Sequence, residues 1–263
     1  MSDAREVSIL DTLVTPAPRY LMRLALIEQF ASRLPANIRS FLEIGPGMGD
    51  LSLYLGRRFP DAEGVLLDFS SDCIDILRQR TASNPRLHLK TGDFMTMPHN
   101  DRYDLIVACE VFEHIADDVT AFQIVSELLR PGGHFFFSAP AFMRKWQRAD
   151  IYAGHYRRYE RAELVEKFAA NGFRIDALWC FGFPVTQLLY PARELYYGLS
   201  RWGQNLSKED ATKRSGIERP LIGRNRALLL ANLLRPFYFL QNQVKNTDLG
   251  DGFLVLAQKD RPV

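Results

Sequence analysis

The chain has 263 residues, 47% of them apolar and 24% charged, with a net charge of +2. That is the make-up of a globular protein of one large domain or two small ones, and it excludes chain-scale disorder, collagen-like repeats and low-complexity sequence. The charge is uneven: residues 184–247 hold ten Lys/Arg against four Asp/Glu, which argues for a local anionic partner and against a nucleic-acid coat. Cys73, Cys109 and Cys180 lie far apart with no CxxC pair, so a reducing compartment, the cytoplasm, is the expectation. Residues 1–10 carry Asp3 and Glu6 and lack the apolar centre of a signal peptide, and no apolar run reaches the ~18 residues of a spanning helix.

The first predicted element is a helix over 18–34, with Leu21, Leu24, Ile27, Phe30 and Leu34 apolar. Short apolar runs then alternate with amphipathic ones. Residues 41–44 read as a strand and 50–59 as a helix, 64–67 as a strand and 71–82 as a helix, 87–89 as a strand. A strongly apolar strand over 103–109 precedes a helix over 117–129, a strand over 135–138 and a helix over 162–170 closed by Asn171-Gly172. Two more strands, 175–180 and 253–258, stand about 70 residues apart, too long for a structureless loop. Helices over 186–202 and 224–244, joined by a polar stretch over 204–219, fill the gap. Buried strands alternating with ten-residue helices predict βαβ units, a parallel sheet and helices on both faces.

The first chemical signal is Glu43-Ile44-Gly45-Pro46-Gly47-Met48-Gly49-Asp50, which joins the first strand to its helix. Glycines let the backbone turn and approach a ligand, and the helix behind them offers free N–H groups. Asp68 ends the next strand, where an acid suits a ribose diol. A dinucleotide fingerprint would need a third glycine where Asp50 stands, and Glu43 beside a pyrophosphate would repel it. A cationic ligand would instead be favoured.

These residues resemble the class I S-adenosylmethionine (SAM)-dependent methyltransferases. Glu43, Gly45, Gly47 and Gly49 resemble their first motif and Asp68, followed by Phe69, their ribose acid. Thr91-Gly92-Asp93-Phe94 resembles the segment whose acid meets the adenine amine and whose next residue covers the ring. Residues 103–110, ending at Glu110, resemble the fourth motif, and Leu129-Arg130-Pro131-Gly132-Gly133 the turn before the fifth strand. The resemblance covers roughly residues 38–180 plus the last strand. It implies a Rossmann-like, seven-stranded, mostly parallel sheet with an antiparallel last strand, SAM as cofactor and S-adenosylhomocysteine as product. Cys109-Glu110-Val111-Phe112-Glu113-His114 replaces the Asn/Asp-Pro-Pro-aromatic motif of amino-methylating nucleic-acid enzymes. The chain therefore resembles the small-molecule branch, including ubiquinone-type O-methyltransferases.

Methyl transfer from a sulfonium needs alignment, exclusion of water and, for a hydroxyl acceptor, a base. Of five histidines, His114 and His155 follow strand carboxyl ends and are the catalytic candidates; His88, His99 and His134 are read as structural. Glu110, Glu113 and His114 would share one face of a helical turn, and with His155 they offer a divalent-cation site, a pattern that also resembles metal-dependent RNA 3′-end 2′-O-methyltransferases. The alternative leaves Glu110 at the methionine end of SAM and the others in local contacts, so no residue is assigned to metal. Arg157 and Arg158 are either acceptor-binding or a solvated pair.

The expected organisation is an N-terminal helical lid over 1–37, a SAM-binding core over 38–183, a helical cap over 184–251 and the core's last strand over 252–263. The cap, with Leu228, Leu233, Phe237 and Phe239, is a helical layer packed onto the sheet in the ordinary way, a lid over an apolar acceptor, a peripheral anchor on an anionic bilayer or a dimer face. The acceptor is expected to be small and apolar or anionic, with no nucleic acid; the oligomeric state stays open. Rivals are a nicotinamide-dependent oxidoreductase, which the glycine spacing disfavours, and a SAM-binding protein without catalysis.

Overall fold

The structure is a computed structural model that describes residues 8–13, 17–98, 100–199, 207, 208, 210–212 and 224–261. His99, Asp3, Glu6, Trp202 and most of the 204–219 stretch lie outside these residues. Seven strands form one sheet: β1 (Ser40–Ile44), β2 (Glu63–Asp68), β3 (Leu87–Thr91), β4 (Tyr103–Cys109), β5 (Leu129–Pro140), β6 (Phe173–Phe181) and β7 (Gly252–Lys259). Their order is β3-β2-β1-β4-β5-β7-β6. β7 runs antiparallel to both its neighbours, as expected of the last strand.

Alternation along the strands divides the core into two layers. In β4, Leu105 and Val107 face one side and Ile106 and Ala108 the other; in β5, Phe136 opposes Phe135 and Phe137. The first layer receives α1 (Pro18–Ala31), α2 (Asp50–Arg58) and α3 (Ser71–Thr81) through Leu24, Ile27, Phe30, Leu55 and Leu77. The second receives α4 (Asp118–Leu128) and α6 (Arg161–Ala170) through Phe122, Val125, Leu164 and Phe168. Each such side chain contributes about 1.5–3 kcal/mol on burial. Pro18 opens α1 with its φ already helical, Asp117 accepts from Thr120 N–H at 3.1 Å to cap α4, and a Glu160–Glu163 capping box opens α6.

β1 lies between β2 and β4, and the chain leaves it in both directions across the sheet. The carboxyl ends of β1 and β4 therefore border the crevice where open α/β sheets bind ligands. The structure departs from expectation in three places. A short helix α5 (Arg148–Ala153) appears, too brief for its periodicity to show. α7 (Val185–Leu199) matches the first insertion helix, but the second splits into α8 (Arg224–Leu233) and α9 (Arg235–Val244), because Pro236 lacks the N–H that would continue the ladder. After β4 the chain makes a 3₁₀ turn over Phe112–His114, which begins too late to include Glu110.

Candidate active site

The glycine loop crosses the end of β1. Gly45, Gly47 and Gly49 have φ of 65, 54 and 77°, conformations that side chains rarely adopt. A Cβ on Gly45 would lie 2.7 Å from Val111, so the loop rests directly on the segment that follows β4. Glu43, 3% exposed, is buried beneath it and accepts from Ser52 Oγ. Burial, only partly offset by that bond, pushes its carboxyl up to about 7. Asp68, also buried, accepts from Ser70 N–H at 2.9 Å and is held raised by burial, with the Gly47 N–H among the groups opposing that shift. Loop and acid thus meet, as the motif requires. Phe69 is exposed just beyond Asp68. Phe94 is buried, and Asp93, exposed, accepts from Met95 N–H.

Glu110 directly follows β4 with φ of 59°, an uncommon conformation for a side-chain-bearing residue, while its N–H donates to Ser138 O at 2.8 Å. Its carboxylate turns toward α1. Arg19 Nη1 bonds Oε2, and Arg23 Nη1 lies 3.3 Å from Oε1, which also accepts from Ser138 Oγ at 3.1 Å. Burial would raise Glu110, but the two guanidinium groups outweigh it and hold the carboxyl at about 2. Arg23 is 6% exposed and its Nε has no hydrogen-bond partner among the described residues. Neither arginine was among the expected site residues. Their signal was two arginines four apart at the start of a helix, one of them between core positions Met22 and Leu24.

Glu110 is therefore not part of the cluster formed by Glu113, His114 and His155, which corrects the shared face expected of it. Ligand atoms of those three residues lie within 4.8 Å of one another. His114 and His155 meet edge to face with centroids 4.6 Å apart, and His155 Nε2 is 3.9 Å from Glu113 Oε1. Glu113 is fully buried, with neither carboxyl oxygen hydrogen-bonded among the described residues. Burial, then the nearby Glu110, pushes its carboxyl well above the ordinary range. Burial pushes the His114 imidazole down to about 3, with His155 adding to the effect. Both histidines named from the sequence thus come together, while exposed His88 pairs with Glu63 and His134 lies in β5 opposite Gln258.

The two basic residues beyond His155 are both engaged within the protein. Arg158 is buried and grips Asp150, and Arg157 pairs with Asp118 and donates to Ala116 O. The insertion reaches this site through Lys208 and Thr212. Thr212 Oγ1 is 3.0 Å from His114 Nδ1, and a Cβ on Gly154 would lie 2.7 Å from Lys208 O. The apolar lining expected of α8 and α9 is not met by Leu233 and Phe239, which are 64% and 70% exposed, because α8 turns Ala231 inward and α9 turns Tyr238 and Gln241 inward instead. Leu188, Leu195 and Leu199 are likewise exposed along one face of α7. No helix among the described residues is long and apolar enough to cross a membrane.

The sequence profile of a methyltransferase domain family matches residues 17–178. The chain is 28% identical over 120 residues to the ubiquinone biosynthesis O-methyltransferase of Hydrogenovibrio crunogenus, covering 44% of this chain and 48% of that one. It is 29% identical over 113 residues to the malonyl-(acyl-carrier protein) O-methyltransferase of Priestia megaterium, covering 43% and 41%. The chain thus spans about half the length of the curated relatives it matches. Among solved structures, Haemonchus contortus phosphoethanolamine N-methyltransferase 2 in complex with S-adenosyl-L-methionine superposes with a TM-score of 0.60 at 15% identity, over 97% of this chain and 56% of that one. A match over more than half the chain, on the sheet order and glycine loop described above, displaces the nicotinamide reading: the chain belongs to the methyltransferase domain family, with the class I SAM-dependent methyltransferase fold.

Proposed function

We propose that this protein transfers a methyl group from SAM to an oxygen of a small or lipid-like acceptor. The observation that carries the reading is the meeting, past the ends of β1 and β4, of a donor half (the glycine loop, Asp68, Glu110 and Arg23) with a histidine pair at His114 and His155. In this reading the N–H groups of the loop and Asp68 hold the nucleoside. The open Nε of Arg23 meets the donor's carboxylate, and Glu110 lends negative charge near the sulfonium. Phe69 and Phe94 flank the adenine, with Asp93 at its edge. An imidazole of the pair takes the proton that a hydroxyl acceptor must lose. Both curated relatives are named as O-methyltransferases, which supports oxygen as the methylated atom.

A second reading is metal-assisted transfer. The observation favouring it is the buried carboxyl of Glu113, without a hydrogen bond among the described residues and within 4.8 Å of two imidazoles. One carboxylate and two imidazoles form a donor set suited to a divalent first-row cation, so the residues present fit such an ion. Glu113, His114 and His155 would hold it, and it would lower the pKa of a bound hydroxyl.

The exposed leucines of α7 with Leu229, Leu233 and Phe239, in a segment of ten basic and four acidic residues, support contact with an anionic bilayer. Incubation with methyl-labelled SAM and phenolic or carboxylic acceptors, with and without chelator, tests the central reading. Label in a base-stable methyl ether supports an ether-forming O-methyltransferase, and loss with chelator regained on adding cation supports the metal. SAM binding with no transfer to any acceptor class leaves a SAM-binding protein without catalysis. Vesicle co-sedimentation that ignores anionic lipid removes the membrane contact.

A further inference from the structure

The two histidines are held from different layers of the protein, each through its Nδ1. His155 Nδ1 lies 2.8 Å from Asp150 Oδ1. That carboxylate is itself fixed: Arg158 donates to Oδ1 at 2.9 Å and to Oδ2 at 2.7 Å, and Gln147 N–H donates to Oδ2 at 2.7 Å. Gly154, at φ of 78°, turns the chain so that the His155 N–H also reaches Asp150 O at 3.0 Å. An ionised carboxylate only accepts, so the proton between them belongs to Nδ1, and Nε2 of the neutral ring carries the lone pair. That Nε2 is the atom 3.9 Å from Glu113.

His114 is held from the insertion. Thr212 Oγ1 gives its proton to Lys208 O at 2.8 Å and stands 3.0 Å from His114 Nδ1. A hydroxyl whose proton is committed offers a lone pair, so it receives Nδ1–H, and Nε2 of this ring is again unprotonated.

We infer that Asp150 and Thr212 are positioning residues that fix both imidazoles as Nδ1–H tautomers and leave Nε2 unprotonated in each, that of His155 beside Glu113. The inference deepens the proposed function and rests on its reading that this pair serves the acceptor. Two unprotonated nitrogens suit acceptance of a hydroxyl proton or donation to a cation, and a ring flipped to Nε2–H does neither. Asp150 sits in the core fold, whereas Thr212 comes from the segment between β6 and β7. Displacing the segment that carries Thr212 would therefore release His114 Nδ1 from its partner.

Long-range proton–nitrogen correlation spectra of the imidazoles in the full chain test this, with resonances assigned through His114→Gln and His155→Gln. The wild type should show both rings as Nδ1–H. Thr212→Val should change the pattern of His114 alone, and Thr212→Ser should restore it. Asp150→Ala, made with Arg158→Met so that no guanidinium is left buried alone, should change His155 alone. An Nε2–H pattern for either ring in the wild type, or a wild-type pattern for His114 in Thr212→Val, overturns the inference; neither result needs the Asp150 variant to fold. Calorimetry with SAM on the same samples keeps the two questions apart: a wild type that binds no SAM overturns the proposed function and leaves the tautomer result standing.

Discussion

Glu110 and Glu113 lie three residues apart on one short connection, yet they occupy opposite electrostatic regimes. Glu110 faces α1, where Arg19 and Arg23 hold it at about 2 in spite of its burial. Glu113 is buried in the 3₁₀ turn, with neither oxygen hydrogen-bonded among the described residues and its carboxyl pushed well up. A buried charge without a hydrogen bond costs several kcal/mol, which is why burial disfavours the ionised form of Glu113. In the proposed function the donor half of the site is thus already neutralised by the protein, and the acceptor half keeps an unmet polar demand among the described residues. One half is preorganised, and the other is completed by what binds there.

The largest expected effects come from breaking the acceptor half alone. His155→Ala should lower turnover by about 10²–10⁴-fold while SAM affinity stays at the wild-type value. Glu113→Gln should keep the fold and lose activity to a similar degree under the metal reading. Single-turnover rates beside calorimetry check both, and a parallel fall in SAM affinity would erase the division between the halves.

The next effect is a pH dependence on the donor side. Glu43 ionises near 4.5 when unfolded and at about 7 in the fold. A carboxyl raised on folding contributes stability that is fully present below its unfolded pKa and is lost as pH rises through about 7. The shift amounts to about 3 kcal/mol at most. Glu43→Gln should therefore flatten urea-derived stability between pH 4.5 and 7 relative to wild type. Glu110, lowered on folding, acts in the opposite sense: its contribution is present above about 4.5 and fades as pH falls toward 2.

The donor half was largely legible in the sequence and the acceptor half only in part, for a physical reason. A glycine loop, a strand-end acid and alternating burial are local constraints, so Gly45, Gly47, Gly49 and Asp68 could be placed by spacing. Arg23 and Arg19 reach Glu110 across about ninety residues of chain, and such pairing leaves no local periodicity. His114 and His155 were named from their places after strand ends, but Asp150 stands on a helix of six residues and Thr212 in the polar part of the insertion. Helical spacing misled at Glu110, because a positive φ takes that residue out of the turn its neighbours form.

Asp68→Ala sharpens the comparison from the donor side. Removing charge-assisted bonds to a ribose, each worth about 1.5–3 kcal/mol, should weaken SAM binding more than tenfold. The imidazole spectra should not change. Unchanged affinity in a folded variant would show that Asp68 serves only Ser70 and the loop.

The smallest effect concerns the backbone that separates the two glutamates. At φ of 59°, residue 110 holds a conformation that costs a side-chain-bearing residue about 1–2 kcal/mol relative to its usual regions and glycine almost nothing. Glu110→Ala and Glu110→Gly both delete the carboxylate and leave Arg19 and Arg23 equally short of a partner, so the ionic loss cancels between them. What remains is the strain, partly offset by the greater freedom of glycine in the unfolded chain. Glu110→Gly should therefore be more stable than Glu110→Ala by about 1 kcal/mol, read as a shift in urea midpoint at equal slope. Equal midpoints would mean that the turn relaxes once the carboxylate is gone, and that the arginine pair, rather than the backbone, directs Glu110 away from Glu113.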